Sequence, residues 1–188
     1  MSYYDLDSIL TDGQKVPTTI ELEVPGLGYL DNAPGRPLKA GTKVDLPLWL
    51  SQMLAVSAYS TKHIADLEPP SCLAPRVMNA LKADPKSVDI RALSSHFYEF
   101  AVRILELLDE VLVYQDACAV LMETWRRRAA EISDHASNAG QNRGGGGMGS
   151  TDGVEFLRGL DDSERYLFRA AHDGTKAMRS WMGEMTKK

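Results

Sequence analysis

The sequence predicts an α+β protein that is mainly α, with a small N-terminal β-rich domain followed by a larger helical-bundle domain. Apolar and polar residues alternate over 15–24, whereas apolar residues recur every three or four positions from Leu48 onward. The change falls at Pro47, which suits the first position of a helix because its missing N–H would have no partner there. We therefore predict a boundary between 1–46 and 47–188.

Composition limits the functional classes. The chain has 188 residues, of which 44% are hydrophobic and 25% charged, as in an ordinary globular protein of one domain or two small ones. The net charge of −5 disfavours a non-specific grip on nucleic acid. No apolar run reaches the roughly 18–20 residues of a membrane span, and the N-terminus has no signal-peptide pattern. Cys72 and Cys118 have no metal or redox spacing, which fits a reducing compartment.

The predicted β-rich domain begins with a short helix over 5–10. A strand follows over 15–24, and Pro17 favours an edge position for it because proline cannot donate to a ladder. Residues 27–30 predict a second short strand, and Val44 and Leu46 a third. So few short strands are marginal alone and need another element to pack against.

The predicted helical domain contains helices from Pro47 and over 76–83. Residues 91–139 contain no glycine or proline, and so long a single helix is unusual, so we predict two helices with a bend at 109–116. We assign seven side chains at helical spacing to the helical core or a subunit interface: Phe97, Tyr98, Phe100, Ile104, Leu108, Leu121 and Trp125.

A glycine-rich segment interrupts the helical pattern at about 138–153, and its composition predicts a disordered insertion. The acidic residues after Leu160 then favour the start of a last helix. Within that helix, Gly174 lowers stability by about 1 kcal/mol relative to alanine.

No catalytic, cofactor-binding or metal-binding constellation is predicted. The glycine run lacks the lysine and serine or threonine that end a phosphate loop, and Gly26 and Gly28 have neither a third glycine nor a following helix. The four histidines contain no pair at i, i+3 or i+4. His96 has no neighbouring nucleophile or acid pair, so a packed ring with a polar tip is its favoured interpretation.

The run Arg126, Arg127 and Arg128 follows Trp125 and has two interpretations. Flanking glutamates, Glu123 and Glu131, predict ion pairs along a helix surface that contacts a partner, because arginine and tryptophan are favoured interface anchors. The alternative is a helical DNA-binding protein that uses the Arg126–Arg128 patch, and the acidic net charge disfavours it.

Short segments spread over nearly the whole chain carry a resemblance to a known family. The most specific are Pro47-Leu48-Trp49-Leu50 and His96-Phe97-Tyr98. The sequence resembles the subunit 3 family of the GINS complex, a eukaryotic replication factor. The matching segments, in order, are 4–10, 15–17, 44–50, 83–85, 88–90, 96–100, 160–165 and 167–168.

The resemblance implies a small β domain followed by a helical one, and a non-catalytic subunit without cofactors. It implies a nuclear heterotetramer with the three other GINS subunits, required for initiation and elongation of chromosomal DNA replication. The further partners it implies are the MCM helicase ring, a RecJ-like helicase factor and, through the complex, the leading-strand DNA polymerase. DNA would be reached only indirectly, and no membrane is involved.

With this domain order, the seam residues acquire a proposed role. Pro47 would begin the first helix of the helical domain, and Leu48, Trp49 and Leu50 would pack it onto both domains and fix their angle. A fully buried side chain of this kind contributes about 1.5–3 kcal/mol. The competing interpretation places Trp49 simply in the core of the helical domain.

Overall fold

The computed structural model describes residues 4–59, 62–107, 111–138 and 151–185. Its contacts divide the chain into two compact units. Unit 1 comprises Met1–Ala74 and Glu99–Val111, and unit 2 comprises Pro75–Tyr98 and Leu112–Lys188. The chain therefore does not divide once at Pro47, because most of one later helix lies in unit 1. The mainly helical α+β architecture is confirmed.

Unit 1 is built around a three-stranded antiparallel sheet with the order β2-β1-β5, and β3 pairs with β4 beside it. Its elements are α1 (Leu6–Asp12), β1 (Lys15–Ile20), β2 (Thr42–Pro47), α2 (Leu48–Val56), β3 (Ala58–Tyr59), β4 (Lys62–His63) and β5 (Ala65–Leu67). The last three strands are two or three residues long, too short to show alternation, which explains why the sequence did not predict them.

The prediction of an edge position for the strand with Pro17 was wrong, because β1 is the central strand. Its pairing with β5 covers only Thr18 to Ile20, so Pro17 lies just beyond that ladder. At this position Pro17 only has to accept a hydrogen bond, because the Glu68 N–H donates to the Pro17 carbonyl oxygen at 3.0 Å. A proline fits a central strand where its missing N–H has no partner to meet.

The predicted strand over 27–30 is instead a 3-10 helix, Gly28–Asp31. Gly28 lies against the following loop: a Cβ there would be 2.2 Å from the Arg36 carbonyl oxygen and 2.5 Å from that of Ala33. The chain turns back at Asn32, whose φ of 54° is left-handed. Gly28 is therefore required by close packing of the backbone, which fits the prediction that it serves no dinucleotide site.

Helix α2 packs against β1, β2 and β5 and belongs to unit 1. Pro47 is the last residue of β2 and precedes the first helical residue, Leu48, which is buried. Ser51 on α2 is also buried, and its hydroxyl lies 2.8 Å from that of Thr18 on β1. The sheet needs a covering helix, which explains why the compact unit extends past the predicted boundary.

The core of unit 1 lies between the sheet and α2. Its buried residues are Ile20, Leu38, Leu46 and Ala65, and the partly buried residues packed on them are Val24, Leu27, Val44, Leu50 and Leu54. Trp49 is 50% exposed, so the interpretation that placed it in a core was wrong. Because Trp49 lies between two inward-facing leucines, the turn of the helix directs it outward.

Unit 2 is helical. Its elements are α3 (Pro75–Ala83), α4 (Ile90–Leu93), the first two residues of α5 (Phe97–Leu107), α6 (Val111–Asn138), α7 (Thr151–Arg158) and α8 (Asp162–Met185). The predicted helix over 76–83 and the last helix are confirmed. The two long helices predicted within 91–139 are α5 and α6, but α4 is a separate short helix before them, and α6 begins at Val111, inside the predicted bend at 109–116. Leu108 and the glycine run lie outside the described residues. Residues 151–153, predicted as part of the insertion, begin α7 instead.

An apolar cluster of Ile132, Phe156 and Leu160, with Leu157, Leu167 and Phe168 packed on it, joins α6, α7 and α8. Phe97 at the start of α5 is also buried in unit 2. Helix α7 follows the glycine-rich stretch, and its packing in this cluster stabilises it. A helix of only eight residues gains too little from local propensity to be predicted from its sequence.

Candidate functional site

The three consecutive arginines of α6 have different surroundings. Arg126 and Arg127 are exposed, with side chains 78% and 52% accessible, whereas the Arg128 side chain is completely buried. The prediction that Arg128 contacts a partner was therefore wrong. Successive residues in a helix are rotated by about 100°, so three in a row cannot share one face.

Of the two glutamates that flank the arginine run, only Glu123 forms ion pairs with Arg126 and Arg127. Arg127 Nε donates to Glu123 at 2.8 Å, and an Arg126 nitrogen lies 3.9 Å from the same carboxylate. Glu131 pairs instead with Lys86 and lies 3.4 Å from His135. Arg126 and Arg127 are thus partly neutralised, and they do not form the continuous basic patch that the DNA-binding alternative requires.

Arg128 uses all five of its N–H groups inside the protein. Nε and Nη2 donate to the two carboxylate oxygens of Glu164 at 2.7 and 2.9 Å. Nη1 donates to the carbonyl oxygens of Pro85 and Val88 at 2.9 and 3.1 Å, and Nη2 also donates to that of Gly159 at 3.2 Å. The guanidinium carbon lies 4.9 Å from the centre of the Phe156 ring. One side chain therefore joins α6, α8 and two connecting loops.

Glu164 is equally satisfied. Its oxygens also accept from the Tyr98 hydroxyl at 2.9 Å and from the Asp161 N–H at 3.1 Å. The bond to Asp161, three residues earlier, is one half of a capping box at the start of α8. Asp161 in turn accepts from the Phe97 N–H and from the Ser163 hydroxyl. We call Arg128, Glu164, Tyr98 and Asp161 the buried centre.

The buried centre raises the pKa of two of its members. Burial raises the pKa of Tyr98 above its ordinary value, with the Glu164 carboxylate adding to the effect. Burial also raises the pKa of Asp161, against the hydrogen bonds from Ser163 and Phe97. A buried ion pair adds little net stability over apolar packing, but loss of one partner is expensive. Any movement that separates Arg128 from Glu164 would therefore carry this cost, which favours the observed packing of α6 against the start of α8.

The described residues contain no cluster of three or more metal-ligating side chains. Burial raises the pKa of the Cys72 thiol to about 11, which leaves it protonated and unreactive at neutral pH. Beside the buried centre lies an open cavity of about 560 Å³ with Asp84, Asp89, Glu131 and Glu155 in its lining. None of the described helices is long and apolar enough to cross a membrane.

Exposed apolar side chains in unit 1 follow helical spacing. On α1 they are Leu6, Ile9 and Leu10, and on α2 they are Trp49, Met53 and Val56, all at least half exposed. Residues at i, i+4 and i+7 lie on one face of a helix. Each helix thus packs through one side and leaves an apolar face uncovered.

Unit 2 has two similar faces. Met122 and Trp125 are exposed on α6, and Met178, Trp181 and Met182 on α8. Single exposed apolar residues are ordinary, but grouped ones on a helix face indicate an interaction surface. Methionine and tryptophan are also typical of such surfaces.

The predicted core and interface residues separate into two groups. Phe97, Phe100, Ile104 and Leu121 are buried, and Tyr98 is partly buried. Trp125 is 43% exposed, so of the two roles predicted for it only an interface role remains. Sequence reasoning missed Glu164 as the partner of Arg128. The available signal was the spacing of Asp161 and Glu164 at the start of a helix, which is that of a capping box.

Two family models match the chain: the PSF3 N-terminal domain over residues 4–56 and the GINS complex protein helical bundle domain over residues 72–183. The first match includes α2, as unit 1 does.

Relatives match over almost their whole length. The Aspergillus fumigatus protein named DNA replication complex GINS protein psf3 is 52% identical over 189 residues, with both chains fully covered. The Schizosaccharomyces pombe psf3 is 36% identical, covering 96% of this chain and 97% of its own. The Saccharomyces cerevisiae PSF3 is 32% identical, covering 97% and 98%. The chain therefore belongs to the Psf3 family of DNA replication complex GINS proteins.

Proposed function

We propose that this chain is a non-catalytic subunit of a heterotetrameric GINS complex that acts in the nucleus in initiation and elongation of chromosomal DNA replication. The observation that carries the proposal is the set of uncovered apolar helix faces, on a chain similar over its full length to proteins named as parts of such a complex. Those names refer to a complex and mention no catalysed reaction, as expected of a scaffold subunit.

The apolar faces of α1, α2, α6 and α8 are the proposed contacts with the three other GINS subunits. Obligate interfaces commonly bury about 2,000–5,000 Å² in total and are more apolar than other surfaces. Trp49, Trp125 and Trp181 are exposed and suited to be anchors, because buried tryptophans often dominate interface energies. In this proposal Pro47, Leu48 and Leu50 fix the start of α2, and Trp49 reaches a partner.

Two further contacts belong to the proposal. Arg126 and Arg127 contribute polar contacts beside Trp125 at the rim of an interface. The assembled complex binds the MCM helicase ring and the RecJ-like helicase factor and connects them to the leading-strand polymerase. The buried centre supports these roles indirectly. Its hydrogen bonds join α6 to α8, so the exposed apolar faces of the two helices keep a fixed orientation relative to each other.

Light scattering after size exclusion tests the proposal, with the chain alone and co-expressed with the three other GINS subunits of its source. We expect one species with the mass of a 1:1:1:1 complex. The double variant Met178→Asp/Trp181→Asp should leave helicity unchanged and remove the chain from the complex. The matched control, Tyr166→Asp, alters an exposed residue of α8 that lies about 18–22 Å nearer the start of the helix, and it should assemble.

A wild-type chain that stays monomeric beside all three subunits would refute the proposal. Full assembly of the Met178→Asp/Trp181→Asp variant would remove the α8 face from the interface. The variant Arg126→Glu/Arg127→Glu should fold and assemble more weakly, and unchanged assembly would remove these arginines from the contact. DNA binding through the Arg126–Arg128 patch has no support, because Arg128 is buried.

A further inference from the structure

Helix α8 carries a row of basic residues along its length. Arg165, Arg169, His172, Lys176 and Arg179 are spaced by four, three, four and three positions. This spacing keeps them on one side of the helix, within a sector of about 80°, over a length of about 21 Å. We call this side the basic flank of α8.

The basic flank is separate from the apolar face of the same helix. Helix α8 packs on its neighbours through Glu164 and Phe168. At about 100° per residue, the basic flank lies to one side of that packed line, while Met178 and Trp181 lie to the other. The proposed subunit contact and the basic flank therefore do not compete for the same surface.

Much of the positive charge on the flank is not neutralised. The side chains of Arg165, Arg169 and Lys176 form no ion pair with any residue that the structure describes. Arg179 donates one N–H to the Ser137 carbonyl at 2.6 Å, which satisfies a helix end but cancels no charge. His172 lies 3.5 Å from Asp173.

Two acids of α8 lie near the flank, and neither forms an ion pair with Arg165, Arg169 or Lys176: Asp173 contacts His172, and Asp162 contacts Arg91 and His96. The Asp162 carboxylate at the start of α8 accepts from Arg91 at 2.9 Å, so its charge is already matched outside the flank. At the other end, a cavity of about 330 Å³ opens beside the flank, and His172, Thr175, Lys176 and Arg179 contribute to its lining. Lys176 and Arg179 thus place two cationic groups at a recess large enough for an anionic group.

The chemistry of the flank selects its ligand. A protein partner needs an apolar core in the interface, and the flank presents no large apolar side chain among its five residues. A phosphate backbone needs only cations and donors at regular spacing, and arginine binds phosphate through paired N–H groups. We propose that the basic flank of α8 binds the sugar–phosphate backbone of a nucleic acid.

This inference goes beyond the proposed function, and it departs from the expectation that the chain reaches DNA only through partners. The net charge of −5 does not oppose it, because contacts over a few ångströms depend on local charge when salt screens the rest. Backbone contacts carry no base information, so binding is independent of sequence and falls as salt rises.

Fluorescence anisotropy with labelled single-stranded and duplex oligonucleotides tests the proposal, using the full chain and the assembled complex over a range of salt concentrations. The variant is Arg169→Glu/Lys176→Glu, and the matched control is Arg36→Glu/Lys39→Glu, two exposed residues in a loop of unit 1, with the same change in charge. We expect the flank variant to bind at least about tenfold more weakly, with a salt slope smaller by about two. The control should change binding less than about twofold.

A second variant with neutral replacements, Arg169→Gln/Lys176→Gln, should also bind nucleic acid more weakly than the wild type, but by a smaller factor than the glutamate variant. No salt-sensitive binding by the wild type, or equal losses in the flank variant and the control, would overturn the proposal. So would a flank variant that keeps its nucleic-acid affinity but loses a GINS subunit in light scattering, because the flank would then bind an acidic protein. Lost nucleic-acid binding with intact assembly supports the inference and leaves the proposed function untouched.

Discussion

Arg127 and Arg128 are adjacent on α6, yet one is at the surface and the other is among the most completely buried side chains of the protein. Arg127 makes an ion pair with Glu123 on its own helix, while Arg128 joins α6 to α8 and to two loops. The same side chain thus serves as a solvated charge in one place and as a structural joint in the next. Burial therefore decides how much a charged side chain contributes to the stability of the fold.

The largest expected difference is in stability. Arg128→Ala leaves the Glu164 carboxylate buried without its partner and should lower the free energy of unfolding by about 3–5 kcal/mol. Arg127→Ala removes only an exposed i, i+4 pair and should change it by less than about 0.5 kcal/mol. Denaturant unfolding of both variants measures the difference. Equal effects would show that Arg128 is not the joint described above.

A smaller loss is expected when the buried centre loses one donor. Tyr98→Phe removes the hydroxyl that donates to Glu164 and should lower the free energy of unfolding by about 1.5–3 kcal/mol, as is typical of hydrogen bonds to charged groups. Tyr166→Phe, at an exposed position of α8, is the control and should be neutral. A neutral Tyr98→Phe would mean that water replaces the lost donor.

The pH dependence of stability separates a buried carboxyl from an exposed one. Because burial raises the folded-state pKa of Asp161, wild-type stability should fall as the pH rises above 3.8, the ordinary value for aspartate. Asp161→Asn should remove that fall. Lys43 and Thr19 lower the pKa of Glu68, so its contribution should be lost as the pH falls below 4.5. Unfolding free energies of Asp161→Asn and Glu68→Gln across the acidic range should therefore diverge from wild type with opposite signs.

The smallest effect is expected on the exposed part of α8. A Cβ at Gly174 would meet nothing within 4 Å, and alanine favours a helix over glycine. Gly174→Ala should therefore raise the free energy of unfolding by about 0.5–1 kcal/mol, because it restricts the unfolded chain. Thermal unfolding measures this gain. A loss of stability would indicate that the helix is not regular at this position.

Regular, strongly periodic parts of the fold could be predicted from the sequence. The helices around 76–83 and after Leu160 have clear ends and spacing, and the start of α2 was marked by Pro47. The central place of β1 could not be predicted. Pro17 suggested an edge, and only the partial ladder with the very short β5 explains how proline is accommodated. Helix α7 was missed because its stability depends on the packing of Phe156 and Leu160.

The sequence by itself determined the fold class and, through Pro47-Leu48-Trp49-Leu50 and His96-Phe97-Tyr98, the family. It also determined the spacing of the basic flank, because helical periodicity is a local property. Only the tertiary structure decided that Arg128 is buried, that Glu164 is its partner and that Trp49 faces outward. These outcomes depend on which elements pack against each helix face, and contacts between residues far apart in the chain leave no periodic signal in the sequence.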